Sequence, residues 1–394
     1  MLPLEGLVVL DLSRVLACPF ASMVLAELGA TVIKVEQPGA GDETRSFEPQ
    51  LAVDSAYYFA CNRSKSSITV NLRSKDGQQV IRDLAATADV FVENFPTGTF
   101  QRYGLDFAAL SVLNPRLVYL SCTGFGQTGP YRHKKGYDTV FQAMGGLMSL
   151  TGEKGGGPVK PGLPVADLTS GLWVAIAILA SVAGREKTGR GCHVDFSMLD
   201  AQVSLLTLAA ARYFALGEVP PRLGTEHPGR VPTATFCCAD GKYLHITASD
   251  QHWAPLCSAL GLEAWGAQEK FCDNASRVRN RQQVMPELTR AIVGWKRDAL
   301  IAALDAAQVP VGPVNDVAEI LSDPHVAARG LVRGFDYPGV GAFKGLGLPY
   351  KFAGFDDPRF SRPPTLGEHT DEILKARLGY SAAKIAQLRE AKAL

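Results

Sequence analysis

A repeated alternation of short apolar runs with helix-patterned stretches through the first half most limits what this chain can fold into. Residues 7–12 read as a buried strand, and 19–29 as a helix with Pro19 near its start and Gly29 at its end. Residues 31–35 give a second strand, 75–86 a helix, and 89–92, 117–121 and 192–196 further strands. Strands that alternate with helices build βαβ units, so the expected class is α/β, with a parallel sheet covered on both faces. The Ala- and Leu-rich stretches 168–186 and 199–216 read as buried helices flanking the 192–196 strand.

The composition then shifts. Residues 217–232 carry three Gly and four Pro among mixed charges and read as a linker. Beyond it, 233–238 and 242–247 bracket Asp240-Gly241, a strong hairpin signal. Helical stretches at 251–260, 277–293 and 297–307 precede the Pro-rich run Val309-Pro310-Val311-Gly312-Pro313. The expected organisation is a large domain begun by 1–217, a smaller α+β domain at 225–325, and a return of 326–394 to the large domain. No internal repeat or low-complexity tract interrupts it.

Charge and cysteine usage narrow the setting. With 40 Lys and Arg against 39 Asp and Glu, the net charge is +1, which gives no whole-protein electrostatic case for nucleic acid or an anionic membrane. The apolar run 172–184 reads as too short to cross a bilayer, and residues 1–6 lack the basic start of a signal peptide. Eight scattered cysteines without a C-x-x-C pair suit neither zinc nor a disulfide framework. The expectation is a cytoplasmic protein with no metal, nucleic-acid or membrane partner.

Several residues could carry chemistry. The turn from Asp11 to Pro19 follows a first parallel strand and leads into a helix, where α/β folds take phosphorylated ligands. It lacks G-x-G-x-x-G, and an ordinary turn with a solvated Arg14 describes it equally well. The glycine-rich stretches 39–45 and 152–162 have no P-loop spacing. Glu93-Asn94-Phe95-Pro96 closes a strand, and Asn94 and Arg102 beside Phe95 could grip an adenosine phosphate or simply cap a helix. Asp167 stands before a long apolar helix. It reads as an N-cap or as a nucleophilic carboxylate kept ionised by the helix dipole, and the two roles are compatible. His369 reads as a residue of a helix cap, and Cys122 as a packed thiol at a strand end.

Eight segments in order resemble the family III coenzyme A transferases (the CaiB/BaiF family, which includes formyl-CoA transferase). They are 10–17, 28–36, 39–45, 92–95, 124–130, Gly136-Tyr137-Asp138, Val165-Ala166-Asp167-Leu168, and 366–370. The likeness covers about residues 4–388 and is nearest to the succinate–hydroxymethylglutarate (glutarate) branch. It implies a Rossmann-like large domain plus a smaller α+β domain in an interlocked homodimer, with an acyl-CoA donor and a carboxylic acid acceptor as substrates.

The resemblance places the catalytic aspartate at Asp167. It places CoA contacts on Val15, Ala17, Val70, Arg73, Asn94, Phe95, Arg102 and Lys135, with Tyr137 close to the acyl site. Arg14 stands where formyl-CoA transferase has histidine, and its guanidinium would hold the distal carboxylate of a dicarboxylic acid. The expected reaction moves CoA, with succinyl-CoA as donor, to an acid such as glutarate or hydroxymethylglutarate. Oxyanion donors are expected around Gly145-Gly146 and the 152–162 loop.

Two departures stand out: Cys18 replaces a glycine, and Gln37 replaces an arginine near the adenine. The four-glycine lid of formyl-CoA transferase is also missing. The family's α-methylacyl-CoA racemases carry Gly-His-Asp where this chain has Gly136-Tyr137-Asp138, and tyrosine is a poor base at neutral pH. A racemase-type isomerase and a non-catalytic CoA-binding protein are the alternatives.

Overall fold

The computed structural model describes all of residues 1–394. The chain divides into two compact units. The first comprises Met1–Leu147, Pro161–Ala210 and His325–Leu394, the second Met148–Lys160 and Ala211–Pro324.

The first unit is built on six parallel strands, β1 (Val8–Asp11), β2 (Thr31–Glu36), β3 (Ser66–Thr69), β4 (Val90–Glu93), β5 (Val118–Thr123) and β6 (His193–Ser197). Their order is β3-β2-β1-β4-β5-β6. The chain winds outward from β1 to β3 and then returns to place β4 on the other side of β1. Where the order reverses, the carboxyl ends of β1 and β4 flank a crevice, the usual ligand position in such sheets.

Strand alternation explains why both faces are covered. Leu10, Ile33, Phe91 and Tyr119 point to one core with Ile68, Ile81 and Leu374. Their neighbours Val9, Val32, Val90, Val118 and Leu120 point to the other, with Leu25, Val174 and Ile178. β3 is short and half polar, which hid it from the apolar pattern. It is an edge strand, and the C-terminal segment meets it: the Ser67 N–H donates to His369 Nδ1 at 3.3 Å and the Thr69 N–H to Thr370 Oγ1 at 3.1 Å.

The helices up to residue 216 are α1 (Ala17–Glu27), α2 (Ala56–Cys61), α3 (Lys75–Ala85), α4 (Thr99–Tyr103), α5 (Phe107–Leu113), α6 (Asp138–Met144), α7 (Leu147–Leu150), α8 (Val165–Thr188), α9 (Met198–Ser204) and α10 (Thr207–Leu216). Two expectations are corrected here. The run at 172–184 belongs to a helix of 24 residues in which an 18-residue stretch has a mean hydropathy of 1.8, long and apolar enough by length and composition to cross a membrane. The apolar run alone understated it, because the helix runs on through Asp167 before it and through Arg185, Glu186 and Lys187 after it. Ala166, Ser170, Gly171, Val174, Ala175 and Ile178 form its buried stripe and α1 packs against it, while Leu172, Trp173 and Ile176 are 50%, 43% and 53% exposed. The stretch 199–216 is two helices rather than one, and α10 buries none of its residues.

The second unit has its own sheet of three antiparallel strands, β7 (Thr233–Cys237), β8 (Tyr243–Thr247) and β9 (Val311–Pro313). β7 and β8 form the hairpin expected around Asp240-Gly241, with Gly241 at φ 73°. Phe236, Leu244, Ile246, Trp253, Leu256, Phe271 and Leu300 make a separate core. The helix expected over 277–293 is broken at Asn280 into Asn274–Arg279 and Arg281–Ile292.

Candidate active site

The site is built on the start of α8. Asp167 is not the N-cap. The helix begins at Val165, with Pro164 at the cap position, so Asp167 lies inside the first turn. The capping is done by Asp138, at the start of α6, whose Oδ1 accepts from the N–H groups of Ala166 at 2.8 Å and Asp167 at 3.2 Å. Gln142, one turn along α6, donates to Asp138 Oδ2 at 2.6 Å and fixes that carboxylate in turn.

This arrangement reverses the expected electrostatics of Asp167. The first-turn N–H groups that would favour its ionised form are already taken by a carboxylate. Burial, and then the charge of Asp138, push the Asp167 carboxyl up to about 7. A group so placed is partly ionised at neutral pH and poorly solvated when ionised, which makes it a competent nucleophile toward an acyl carbon. Tyr57 of α2 feels the same two acids: burial first, then Cys61, Asp167 and Asp138, raise its phenol to about 12. It is therefore a neutral O–H donor at neutral pH.

One helical turn beyond Asp167, Gly171 brings α8 against the end of the 11–19 turn. A Cβ at Gly171 would stand 2.6 Å from the Ala17 carbonyl oxygen, so glycine there lets α8 close onto the beginning of α1. Ala17 is thus brought beside the helix that carries the acid.

The second element of the site is a cleft of about 300 Å³ at the carboxyl ends of β1, β2 and β4. Arg14, Val70, Arg73 and Phe95 line it, with Gln37 and Tyr103. The Arg14 guanidinium lies over the Phe95 ring, 4.3 Å from its centroid, with Nη1 3.3 Å from Glu43 Oε1. Asn94 holds the Arg14 backbone on both sides, accepting from its N–H at 2.9 Å and donating to its carbonyl at 2.7 Å. Val15 follows at φ 70°, a left-handed conformation that costs a β-branched residue about 1–3 kcal/mol unless its surroundings enforce it. Its N–H donates to Asp42 Oδ1 at 3.3 Å.

Buried charges enforce that conformation. Lys34, inside β2, donates to Asp42 Oδ2 at 2.8 Å and to the Ser13 carbonyl at 3.0 Å. Arg45 is shared between Glu36 at 2.7 Å and Asp54 at 2.9 Å, with its guanidinium over the Tyr58 ring. Asp11 accepts from the Ser13 N–H at 2.9 Å and from the Ser13 hydroxyl. Lys34, Asp42, Lys65, Tyr57 and Asp138 escaped the sequence reading as functional residues. For Lys34 a signal existed: a lysine at an inward position of an apolar strand must be paired inside. Nothing local could link Asp138 to a helix starting 27 residues later.

Other expected positions lie elsewhere. Arg102 is exposed near the end of α4, and Tyr103 beside it reaches the cleft instead. Lys135 and Tyr137 lie exposed in the segment before α6, with Tyr137 78% exposed and its carbonyl accepting from Val140 and Phe141. The N–H of Gly145 is taken by the Phe141 carbonyl at 2.8 Å and that of Gly146 by Ala143 at 3.4 Å, so neither is an open oxyanion donor. The loop at 152–162 lies mostly in the second unit. Cys122 is a packed thiol, buried beside Cys18, whose own thiol is raised by a hydrogen bond with Cys122 and by burial.

Comparisons with known proteins agree with this architecture. Residues 4–370 match CoA-transferase family III. The chain is 39% identical over 389 residues to succinyl-CoA:glutarate CoA-transferase of Mus musculus, covering 98% of this chain and 89% of that one. It is also 39% identical over 381 residues to succinate–glutarate CoA-transferase of Agrobacterium fabrum, covering 94% and 95%. Among solved structures, a CaiB/BaiF family protein from Brucella suis superposes with a TM-score of 0.86 at 41% identity, covering 95% of this chain and 99% of that one. The α/β sheet, the matched span and these relatives make the chain a CoA-transferase, and it belongs to CoA-transferase family III.

Proposed function

We propose that this enzyme moves CoA from succinyl-CoA to a dicarboxylic acid such as glutarate or hydroxymethylglutarate, with Asp167 as the covalent nucleophile. The observation that carries the reading is the Asp167 carboxyl, held within the first turn of α8 and raised to about 7 by burial and Asp138. The donor and acceptor classes follow the relatives at 39% identity, whose names pair succinyl-CoA or succinate with glutarate.

In the first step an Asp167 carboxylate oxygen attacks the thioester carbonyl. The C–O bond forms, the C–S bond breaks, and CoA thiolate leaves an aspartyl anhydride. The thiolate then attacks the Asp167 carboxyl carbon, releasing the donor acid and forming an aspartyl-CoA thioester. The acceptor carboxylate displaces CoA from that thioester, and the thiolate returns to the acceptor's acyl carbon, freeing Asp167. One activated carboxyl is exchanged for another at each stage, so no external energy source enters. The Tyr57 hydroxyl supplies a donor for the developing oxyanion.

In this reading the cleft lined by Val70, Arg73 and Phe95 takes the nucleotide end of CoA, with Val15, Ala17 and Asn94 shaping its wall. Arg102 and Lys135 are proposed as outer phosphate contacts and Tyr137 as a residue near the acyl group. Arg14 is proposed to meet the distal carboxylate of the acid by exchanging it for Glu43.

The enzyme is proposed to work as an interlocked homodimer in the cytoplasm. The apolar face of Leu172, Trp173 and Ile176 and the open helix α10, with Leu208 81% exposed, support a second copy of the chain as the covering partner. The scattered cysteines, none of them paired, support a reducing compartment.

Incubation with succinyl-CoA followed by borohydride reduction is expected to convert Asp167 to homoserine, read by peptide mass, in a protein that sediments as a dimer. An unmodified Asp167 peptide during active turnover moves the chemistry to another residue. A monomer with full activity removes the dimer from the proposal.

A further inference from the structure

We propose that Lys65 is a positioning residue for acyl-CoA, tying the two ends of the 11–19 turn together through Asp11 and the carbonyl of Pro19. The inference rests on reading the cleft beside that turn as the CoA site. Lys65 is buried, just ahead of β3, and touches no wall of the cleft. Its ammonium has three partners: Asp11 Oδ2 at 3.2 Å, the Pro19 carbonyl at 2.9 Å and Asn62 Oδ1 at 2.9 Å. All three of its donors are therefore used.

The partners lie at opposite ends of one loop. Asp11 ends β1 and holds Ser13, where the turn begins. Pro19 lies in the first turn of α1, where the turn ends. Between them stand Arg14, Val15 and Ala17. Ser22 bonds the same two groups from within α1, so it moves with that end of the loop. Lys65 comes from outside and fixes both ends to the segment that leads into β3. Lys34 performs the matching task for the middle of the turn, through Ser13 and Asp42.

The charges facing Lys65 are Asp11 on β1 and Lys34 on β2, with the Cys61 thiol on α2 and Asp42 beyond Lys34. Burial pushes its ammonium down to about 8, with Asp11 opposing. Once deprotonated it has two N–H bonds for three acceptors and leaves Asp11 with Lys34 as its remaining cation, so the turn loosens. The folding linkage of this group runs the other way. An unfolded lysine keeps its proton to about 10.5, so between about 8 and that value rising pH favours the folded chain. Loss of CoA affinity without loss of thermal stability is the mark of positioning.

The test compares wild type, Lys65→Met and Lys65→Arg by steady-state kinetics with succinyl-CoA and glutarate. At neutral pH, Lys65→Met is expected to raise the KM for succinyl-CoA about tenfold, with kcat and the glutarate KM changed less than about threefold. Lys65→Arg is expected to recover part of that loss. In the wild type the succinyl-CoA KM is expected to climb about tenfold between about pH 7.5 and 9.5 with no matching fall in melting temperature, and to stay flat in Lys65→Met.

A folded Lys65→Met enzyme with wild-type KM overturns the inference. Where that variant does not fold, a flat wild-type KM across the same pH range overturns it. Arg73→Ala and Phe95→Ala separate this failure from failure of the cleft reading. If they raise the succinyl-CoA KM while Lys65→Met does not, only the role of Lys65 falls. If they also leave it unchanged, the cleft is not the CoA site.

Discussion

Two groups of buried acids in the first unit behave in opposite ways. Asp11, Glu36 and Asp42, around the turn that shapes the cleft, are held below the usual carboxylate range, although burial works against each of them. Lys65, Lys34 and Arg45 are the cause. Asp167, at the start of α8, is raised to about 7, because burial is joined by the charge of Asp138 and no cation offsets it. The three paired acids build a fixed wall, whereas Asp167, like Glu93 at the end of β4, which burial also raises to about 7, has no cation beside it. A protein can afford such a carboxylate where function needs it, and its surroundings show where the compensation was withheld.

The sharpest break of this contrast is Asp167→Asn. Transfer activity is expected to fall by at least about a thousandfold, while the fold survives. The sign of the stability change follows from the raised carboxyl. Its contribution to folding is fully present below the unfolded value of 3.8 and is lost as pH rises through about 7. At pH 8 the Asn variant is therefore expected to be more stable than wild type, by about 1–3 kcal/mol in denaturant unfolding. A variant that is less stable at pH 8 would show that Asp167 has a compensating partner. In the same frame, transfer rates in the wild type are expected to rise with pH through about 7, as Asp167 ionises.

Arg45→Met tests the opposite member of the comparison. It strips the cation from Glu36 and Asp54 together, and losing one partner of a buried pair costs about 3–5 kcal/mol. The loss is expected to be greatest near neutral pH and to shrink in acid, where Glu36 takes up a proton. Equal destabilisation at pH 4 and pH 8 would mean the arginine acts through packing on Tyr58 alone.

The smallest of these effects concerns substrate choice. Arg14→Ala is expected to lower the ratio of kcat/KM for glutarate over a monocarboxylic acceptor about tenfold, the value of one good charge-assisted pair. An equal fall for both acids would confine Arg14 to the nucleotide cleft with Phe95.

Much of the frame was legible from patterning. The strands at 31–35, 89–92, 117–121 and 192–196 agree with β2, β4, β5 and β6 to within a residue or two, because apolar runs bounded by turn residues leave little choice. β3 was not legible, since Ser66–Thr69 gains its place from a neighbouring strand and from His369 and Thr370, which are about 300 residues away in sequence. The long helix was foreseen but its start was not. Pro164 and Val165 open it without a capping side chain of their own, and the cap arrives from Asp138.

By itself, the amino-acid order determined the alternating α/β plan and the hairpin of the second unit, while Asp167 was singled out by the family resemblance. The plan and the hairpin depend on contacts between near neighbours and on side-chain period, which a linear reading contains. Only the tertiary structure decided what that carboxylate is chemically. Its proton affinity depends on burial, on Asp138 occupying the helix N–H groups, and on the lysines and arginine being spent on other acids. Such terms fall off over a few ångströms in space, and the groups that supply them are scattered along the sequence.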